Sequence, residues 1–222
     1  MDNFVAFIPV RGGSKSIPLK NIKEFCGKPL VYWTAKAATD CKYIDEVYIS
    51  TDSEKIREAV MSLGLPKINV IDRKDETATD TASTESAMLD FAERYSFRHI
   101  VLIQATSPLL RSDDLERGCE KYLNYNYDSL LSVVKQKRFI WEVKGGRAVP
   151  VNYNLNERPR RQEMDGYLVE NGAFYITKRE SLLKDKCRLS GKVGVYEMPE
   201  ETYFEIDEPS DWVIMEQLKD KS

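Results

Sequence analysis

The stretch FVAFIPVRGGSKSIPLKN, residues 4–21, reads as a buried strand that runs out into a loop shaped for an anion. Phe4–Val10 is short, apolar and rich in strand formers. Gly12 and Gly13 then let backbone N–H groups approach a ligand closely, while Arg11, Lys15 and Lys20 supply positive charge. The loop is neither GxGxxG nor GxxxxGK[ST], so neither a dinucleotide fingerprint nor a P-loop fits it. These three cations are instead arranged to surround a triphosphate in an open loop. The plainer reading, a solvated basic turn, is disfavoured by two adjacent glycines directly after an apolar strand.

Working outward from this stretch, strands and helices alternate. LVYWTAKAAT (30–39) has helical spacing and EVYIST (46–51) reads as a strand. Asp52 and Ser53 are candidate N-caps for a helix that puts Ile56, Ala59, Val60 and Leu63 on one face, with Gly64 at its C′ position. INVI (68–71) is a third strand, and STESAMLDFAERY (83–95) a third helix. HIVLIQ (99–104) is the most apolar strand, as expected at the centre of a sheet. DDLERGCEKYL (113–123) is helical, and DSLLSVV (128–134), GAFYIT (172–177) and KVGVYEMP (192–199) are extended. PSDWVIMEQLKD (209–220) closes the chain as a helix. This alternation predicts a three-layer α/β fold, mostly parallel, in one domain over residues 1–222.

The rhythm breaks over residues 136–166, which carry glycines, prolines, aromatics and clustered arginines. The segment is too long for a simple connection. It reads either as a disordered linker or as an arm or lid, and Phe139, Ile140, Trp141, Val149 and Tyr153 favour an arm that buries surface against a second subunit.

Composition narrows the function classes. At 222 residues and a net charge of −3, the chain is no nucleic-acid binder by charge, and its 42% hydrophobic content suits a real core. It contains no apolar run of membrane-spanning length, and Asp2 and Asn3 lead straight into a strand rather than a signal peptide. Cys26, Cys41, Cys119 and Cys187 form no CxxC pair and read as reduced packing residues of a cytoplasmic protein. The lone histidine, His99, heads an apolar strand. A strand-edge role suits it better than catalysis, which disfavours Ser-His and Cys-His chemistry.

Chemistry in such a fold gathers at the carboxyl ends of the parallel strands. Polar clusters follow several of the strands: Arg11–Lys20, Ser50–Asp52, Arg73, and Gln104 with Thr106 and Ser107. Their convergence on one rim is a stronger signal than any one of them.

The segments IPVRGGSKSIPLKN (8–21), YISTD (48–52), DTAS (80–83), LIQATSPLLR (102–111), RPRRQ (158–162), ENGAFYI (170–176) and EIDEPSDW (205–212) span nearly the whole chain. In this order they resemble the N-acylneuraminate cytidylyltransferases, the CMP-sialic acid and CMP-KDN synthetases. The resemblance implies a Rossmann-like nucleotidyltransferase fold with a dimerisation arm at 136–166. It also implies a homodimer and a Mg²⁺-dependent reaction of CTP with a nonulosonic acid, giving the CMP-sugar and pyrophosphate. By similarity, Arg11, Ser14, Lys15 and Lys20 hold the phosphates, with Asn21 beside them. Lys20 and Arg11 then act on the reacting phosphate.

Cytosine selection falls to Arg73 and to Asp80, Thr81, Ala82 and Ser83, since an arginine and backbone carbonyls can match the base's donor and acceptors. Gln104 resembles the family's sugar-contacting glutamine. Thr106 and Ser107 fit equally a sugar contact or a cap and turn before Pro108. Arg160, Arg161 and Gln162 suit the sugar carboxylate, reached across a dimer, and Asn171 suits a polar anchor. Glu205 and Asp207 sit at i and i+2, where an extended segment points both the same way toward one cation. Many family members have Asp-x-Asp here, so Asp207 is the firmer metal ligand. Asp211 reads as an ordinary first-turn acid. The competing readings are a CMP-Kdo synthetase and a catalytically inactive nucleotide-binding homologue.

Overall fold

The computed structural model describes residues 3–220. In chain order the strands and helices are β1 (Phe4–Pro9), β2 (Glu24–Phe25), β3 (Lys28–Pro29), α1 (Leu30–Asp40), β4 (Ile44–Thr51), α2 (Glu54–Met61), β5 (Ile68–Asp72), α3 (Asp75–Ala78) and α4 (Thr84–Arg94). They continue with β6 (His99–Ile103), α5 (Ser112–Asn124), β7 (Ser129–Gln136), β8 (Trp141–Lys144), β9 (Arg147–Pro150), β10 (Tyr167–Lys178), α6 (Arg179–Asp185), β11 (Val193–Met198) and α7 (Pro209–Lys219). The elements expected from sequence are present. The short α3 and α6 were not anticipated.

Seven strands form the central sheet in the order β11-β7-β10-β6-β1-β4-β5, so HIVLIQ does supply the middle strand. All five residues of β6 are buried. The strand β10 runs antiparallel to both β6 and β7, and the other pairings are parallel.

Alternation along β1 builds the two core layers. Phe4, Ala6 and Ile8 pack with Val31 and Ala35 of α1, Ile56 and Val60 of α2, and Leu115 and Cys119 of α5. Val5 and Phe7 face the other way, onto Met88 and Phe91 of α4 and Leu182 of α6. Each fully buried large side chain contributes about 1.5–3 kcal/mol relative to exposure. Gly118 of α5 is required by the tight helix–sheet contact, since a Cβ there would lie 2.7 Å from the Phe174 ring.

A third cluster is smaller and sets up the site. Ile17 from the glycine loop and Ile206 pack together with Phe25, Leu30, Trp212 and Met215. The opening loop and the 205–207 segment, far apart in sequence, therefore share one apolar anchor.

His99 is buried at the head of β6, stacked on Phe4 with ring centroids 4.5 Å apart, and its Nδ1 lies 3.0 Å from the Tyr122 hydroxyl. This is the strand-edge role expected of it. The four cysteines are free thiols, with Cys41 and Cys119 fully buried.

Between β7 and β10 the chain is not a disordered linker. It forms the β8–β9 hairpin, turned by Gly145 and Gly146 at φ 57° and 75°, followed by two short 3₁₀ turns. Tyr153 packs edge-on against Phe139 and Trp141, and the Arg158 guanidinium lies 4.1 Å from the Phe139 ring centre. These aromatics thus stabilise the hairpin's base within one chain, while Ile140, Trp141, Val143, Val151, Leu155, Tyr167 and Leu168 stay exposed.

Candidate active site

A cavity of about 260 Å³ opens at the carboxyl ends of β1, β5 and β6. Arg11, Ser14, Lys20 and Asn21 line it from the opening loop, Arg73 and Asp80 from the segment after β5, and Gln104 and Thr106 from the turn after β6. A larger cleft of about 770 Å³ lies at the opposite end of β6, around Phe97, His99 and Tyr122. The smaller cavity is the functional candidate, because the parallel strands of an α/β sheet present their loops at the carboxyl end.

Lys20 is held in place by two bonds from its ammonium group, to the Ile206 carbonyl at 2.7 Å and to Asp207 Oδ1 at 3.1 Å. Its side chain is only 13% exposed, so the charge sits in the wall of the cavity rather than in solvent. Asn21 is buried and donates to the Arg11 carbonyl at 3.3 Å, fixing the start of the loop. Arg11 and Lys15 both reach Asp80, at 2.8 and 2.6 Å. The hydrogen bonds from Lys15 and then Arg11 hold the Asp80 carboxyl below the usual carboxylate range.

The Arg73 guanidinium donates twice to the Thr77 carbonyl, which locks the turn leading into Asp80. Burial pushes its pKa below the usual guanidinium value, and the nearby Arg11 adds to that. Thr81 is exposed, and Ala82 lines the cavity. Ser83 is the N-cap of α4, where its Oγ accepts from the Ser86 N–H at 3.1 Å.

Thr106 and Ser107 are placed differently. Thr106 lines the cavity and donates to Glu205 at 3.3 Å, whereas Ser107 is buried in the turn, donating to the Gln104 carbonyl through its N–H. Glu205 is half-buried against Gly172, whose φ is +65°. A Cβ at Gly172 would lie 2.3 Å from Glu205 Oε1, so glycine is required there for the carboxylate to fit. Burial, and then the like charge of Asp207, raise the Glu205 pKa above the usual glutamate value. Asp211 caps α7 and also accepts from the Asp207 N–H at 3.0 Å, which orients the 205–207 segment.

Several residues sit differently from the sequence reading. Neither Asp52 nor Ser53 caps α2 with its side chain. Asp52 instead accepts from the Gly12 N–H at 2.9 Å, because the glycine loop brings a bare amide within reach of it. Asn171 is buried at the bulge of β10 with its amide nitrogen bonded to Thr202, while its Oδ1 has no hydrogen-bond partner. Arg160, Arg161 and Gln162 lie on the arm outside this cavity. Arg161 donates to the Lys137 carbonyl, and the Gln162 carbonyl accepts from Lys137. Sequence reasoning missed Thr79 and Thr84 in the cavity wall, and it missed the Ser16–Glu208 bond of 3.0 Å that ties the loop to α7. Threonines in a polar loop carry no periodic signal that would have singled them out.

The arrangement suits polyphosphate chemistry. Three cations, Arg11, Lys20 and Arg73, line a small cavity with Asp80 beside them, and no histidine or cysteine lines it. Comparison with known proteins agrees. The chain is 39% identical over 217 residues to N-acylneuraminate cytidylyltransferase A of Danio rerio, covering 96% of this chain and 50% of that protein. It is 30% identical to the N-acylneuraminate cytidylyltransferase of Streptococcus agalactiae, over 94% of this chain and 51% of that protein. The pseudaminic acid cytidylyltransferase of Campylobacter jejuni is 28% identical, with 91% and 90% covered. The chain thus spans about half the length of the first curated relatives it matches.

Among solved structures, a CMP:2-keto-3-deoxy-manno-octonic acid synthetase complexed with CTP superposes with a TM-score of 0.74 at 18% identity, covering 99% of both chains. The 4-diphosphocytidyl-2C-methyl-D-erythritol synthase of Anaerococcus prevotii follows at 0.71 and 11%, covering 99% of this chain and 96% of that one. Both share the fold. The family model described as cytidylyltransferase matches residues 5–222, and the chain belongs to that family.

Proposed function

We propose that this protein activates a nonulosonic acid of the sialic type with CTP, giving the CMP-sugar and pyrophosphate. The observation that carries this reading is the meeting of Arg11, Lys20 and Arg73 around one cavity, with Lys15 joined to its rim through Asp80, Asp207 through Lys20 and Glu205 through Thr106, in a chain of the cytidylyltransferase family. The relatives named N-acylneuraminate cytidylyltransferase, at up to 39% identity, point to the sugar class.

The anomeric hydroxyl of the sugar acid attacks the α-phosphorus in line and pyrophosphate leaves. Such a transfer needs positioning and charge stabilisation more than covalent help. Arg11, Ser14 and Lys15 bind the phosphates, and Lys20, already fixed by two acceptors, stabilises charge developing at the α-phosphate. Arg73 and the backbone of Asp80–Ser83 read the base, and Gln104 and Thr106 face the sugar from the end of β6. Asn171 Oδ1 is a buried acceptor still to be matched by a donor. Arg160, Arg161 and Gln162 act on the sugar carboxylate of a neighbouring subunit.

The residues present fit a divalent cation: two carboxylates two positions apart, one of them driven up in pKa by burial and by the charge of the other. Asp207 is the ligand and Glu205 its support. When bound, Mg²⁺ would neutralise phosphate charge beside Lys20.

The exposed apolar face of the hairpin supports a homodimer, with Ile140, Trp141, Val143 and Val151 on its surface. No helix among the described residues is long and apolar enough to cross a membrane, and together with the free thiols this supports a cytoplasmic setting.

Pyrophosphate release, assayed with CTP and UTP against a panel of eight- and nine-carbon α-keto acids, tests the reading. Turnover with CTP and a nine-carbon acid is expected. Preference for the eight-carbon acid would instead make it a CMP-Kdo synthetase, and no release with any acid would leave a nucleotide-binding homologue.

A further inference from the structure

Asp80 engages two cations of the glycine loop at once. One carboxylate oxygen accepts from Arg11 Nη1 at 2.8 Å and the other from Lys15 Nζ at 2.6 Å. Packing does not explain these pairs, because the Asp80 side chain is 46% exposed and that of Lys15 is 76% exposed. Ion pairs at that exposure add little to stability. The rest of the loop is partnered in the same way: Asp52 accepts the Gly12 N–H, Asp207 accepts from Lys20, and Glu208 accepts from Ser16. Carboxylates of this chain therefore hold the donors that a polyphosphate would use. Asp80 differs from the others in bridging two cations and in sitting on a loop with its own rigid base. Arg73 ties that base to Thr77, and Ser83 caps α4 on its other side.

A carboxylate resembles a phosphate edge: two oxygens, a negative charge and a bidentate match to guanidinium. A polyphosphate bound by Arg11 and Lys15 must therefore take them from Asp80 or share them with it. Resting on the proposed reading of this cavity as a nucleoside triphosphate site, we propose that Asp80 is a displaceable counter-ion for the polyphosphate. It keeps Arg11 and Lys15 drawn together over the cavity, yields them to the terminal phosphates of the nucleotide, and reclaims them as pyrophosphate departs. CTP offsets this competition with its base and ribose contacts, whereas pyrophosphate has none. The carboxylate thus acts on product release as well as on binding, while the backbone of the same segment is left to read the base.

The experiment compares the full chain with Asp80→Asn, which keeps the shape and removes the charge. Isothermal titration uses inorganic pyrophosphate and CTP at low and at physiological salt. The expected result is an Asp80→Asn affinity for pyrophosphate about fivefold higher at low salt, the factor one unit charge at contact distance in water corresponds to. The gain should shrink with added salt and shrink again in a Lys15→Ala background, where only Arg11 remains for the carboxylate to hold. Pyrophosphate should also inhibit the Asp80→Asn enzyme more strongly, by a similar factor.

Unchanged or weaker pyrophosphate binding in Asp80→Asn overturns the proposal. Weaker CTP binding with unchanged pyrophosphate binding overturns it too, and gives the Asp80 side chain to the base. The broader reading fails separately: if pyrophosphate binds as expected but no sugar acid is turned over, the counter-ion stands and the activity does not. If the parent chain binds neither pyrophosphate nor CTP, both are wrong.

Discussion

Lys20 joins the two halves of the site: its ammonium group donates to the carbonyl of Ile206 and to the carboxylate of Asp207, residues 186 and 187 positions away. Ile17 and Ile206 pack in the same apolar cluster directly behind it. The cation therefore arrives at the cavity with its geometry already set, which is what electrostatic stabilisation of a transition state requires. Lys20→Ala is expected to lower turnover about a hundredfold or more at saturating CTP. The loss of its two bonds should cost about 2–3 kcal/mol of stability. Steady-state kinetics beside thermal unfolding separates the two, and near-normal turnover would remove Lys20 from the reaction.

The proposed metal site predicts unequal contributions from its two carboxylates. Asp207 is 71% exposed and oriented by Asp211, while Glu205 is half-buried and bonded to Thr106. Asp207→Asn should abolish activity at any accessible Mg²⁺ concentration. Glu205→Gln should keep measurable activity but need more Mg²⁺, and Glu205→Asp should be tolerated. Activity of the three variants across a Mg²⁺ titration checks this. An active Asp207→Asn beside a dead Glu205→Gln would reverse the roles.

Glu205 also predicts a pH effect on stability. Its folded pKa is raised, chiefly by burial, so its favourable contribution is complete below the unfolded carboxylate range and is lost as pH rises through the folded value. Burial penalises the ionised form of this half-buried carboxyl, a penalty that Glu205→Gln does not carry. Without divalent cations the glutamine variant should melt higher at pH 7, and the difference should close below about pH 4. A glutamine variant that melts lower at pH 7 would mean that the charged bond to Thr106 outweighs the burial.

The arm carries the assembly prediction. Val143 is 75% exposed on a hairpin whose aromatic base is already packed within the chain. The protein should sediment as a homodimer burying more than about 1,000 Å² in total. Val143→Asp should shift it to monomers with unchanged circular dichroism. A monomeric parent at micromolar concentration would end both the dimer and the delivery of Arg160 or Arg161 to a neighbouring site.

The alternation of periods along the sequence determined the three layers, the central place of HIVLIQ and the glycine loop after β1. These depend on local quantities: which face a residue takes, where glycine permits a bare amide, and where an apolar run must be buried. Sequence also placed Arg11, Lys20, Arg73 and Gln104 on one rim, since the carboxyl ends of parallel strands share an edge whatever their order. It left strand direction open at β10, because an apolar run reads the same whether its neighbours are parallel or antiparallel. The partners of the charges were also beyond it. Asp80 with Arg11 lies 69 positions apart and Glu205 with Thr106 lies 99, while Asp52 abandons the helix beside it for the Gly12 amide. Only chain closure brings such groups within reach: the pairing of β1 with β4 sets Asp52 beside Gly12, and the burial of Ile17 with Ile206 in one cluster holds the 205–207 segment against the opening loop. Which carboxylate a cation takes is then decided by distance in the folded molecule rather than by spacing along the chain.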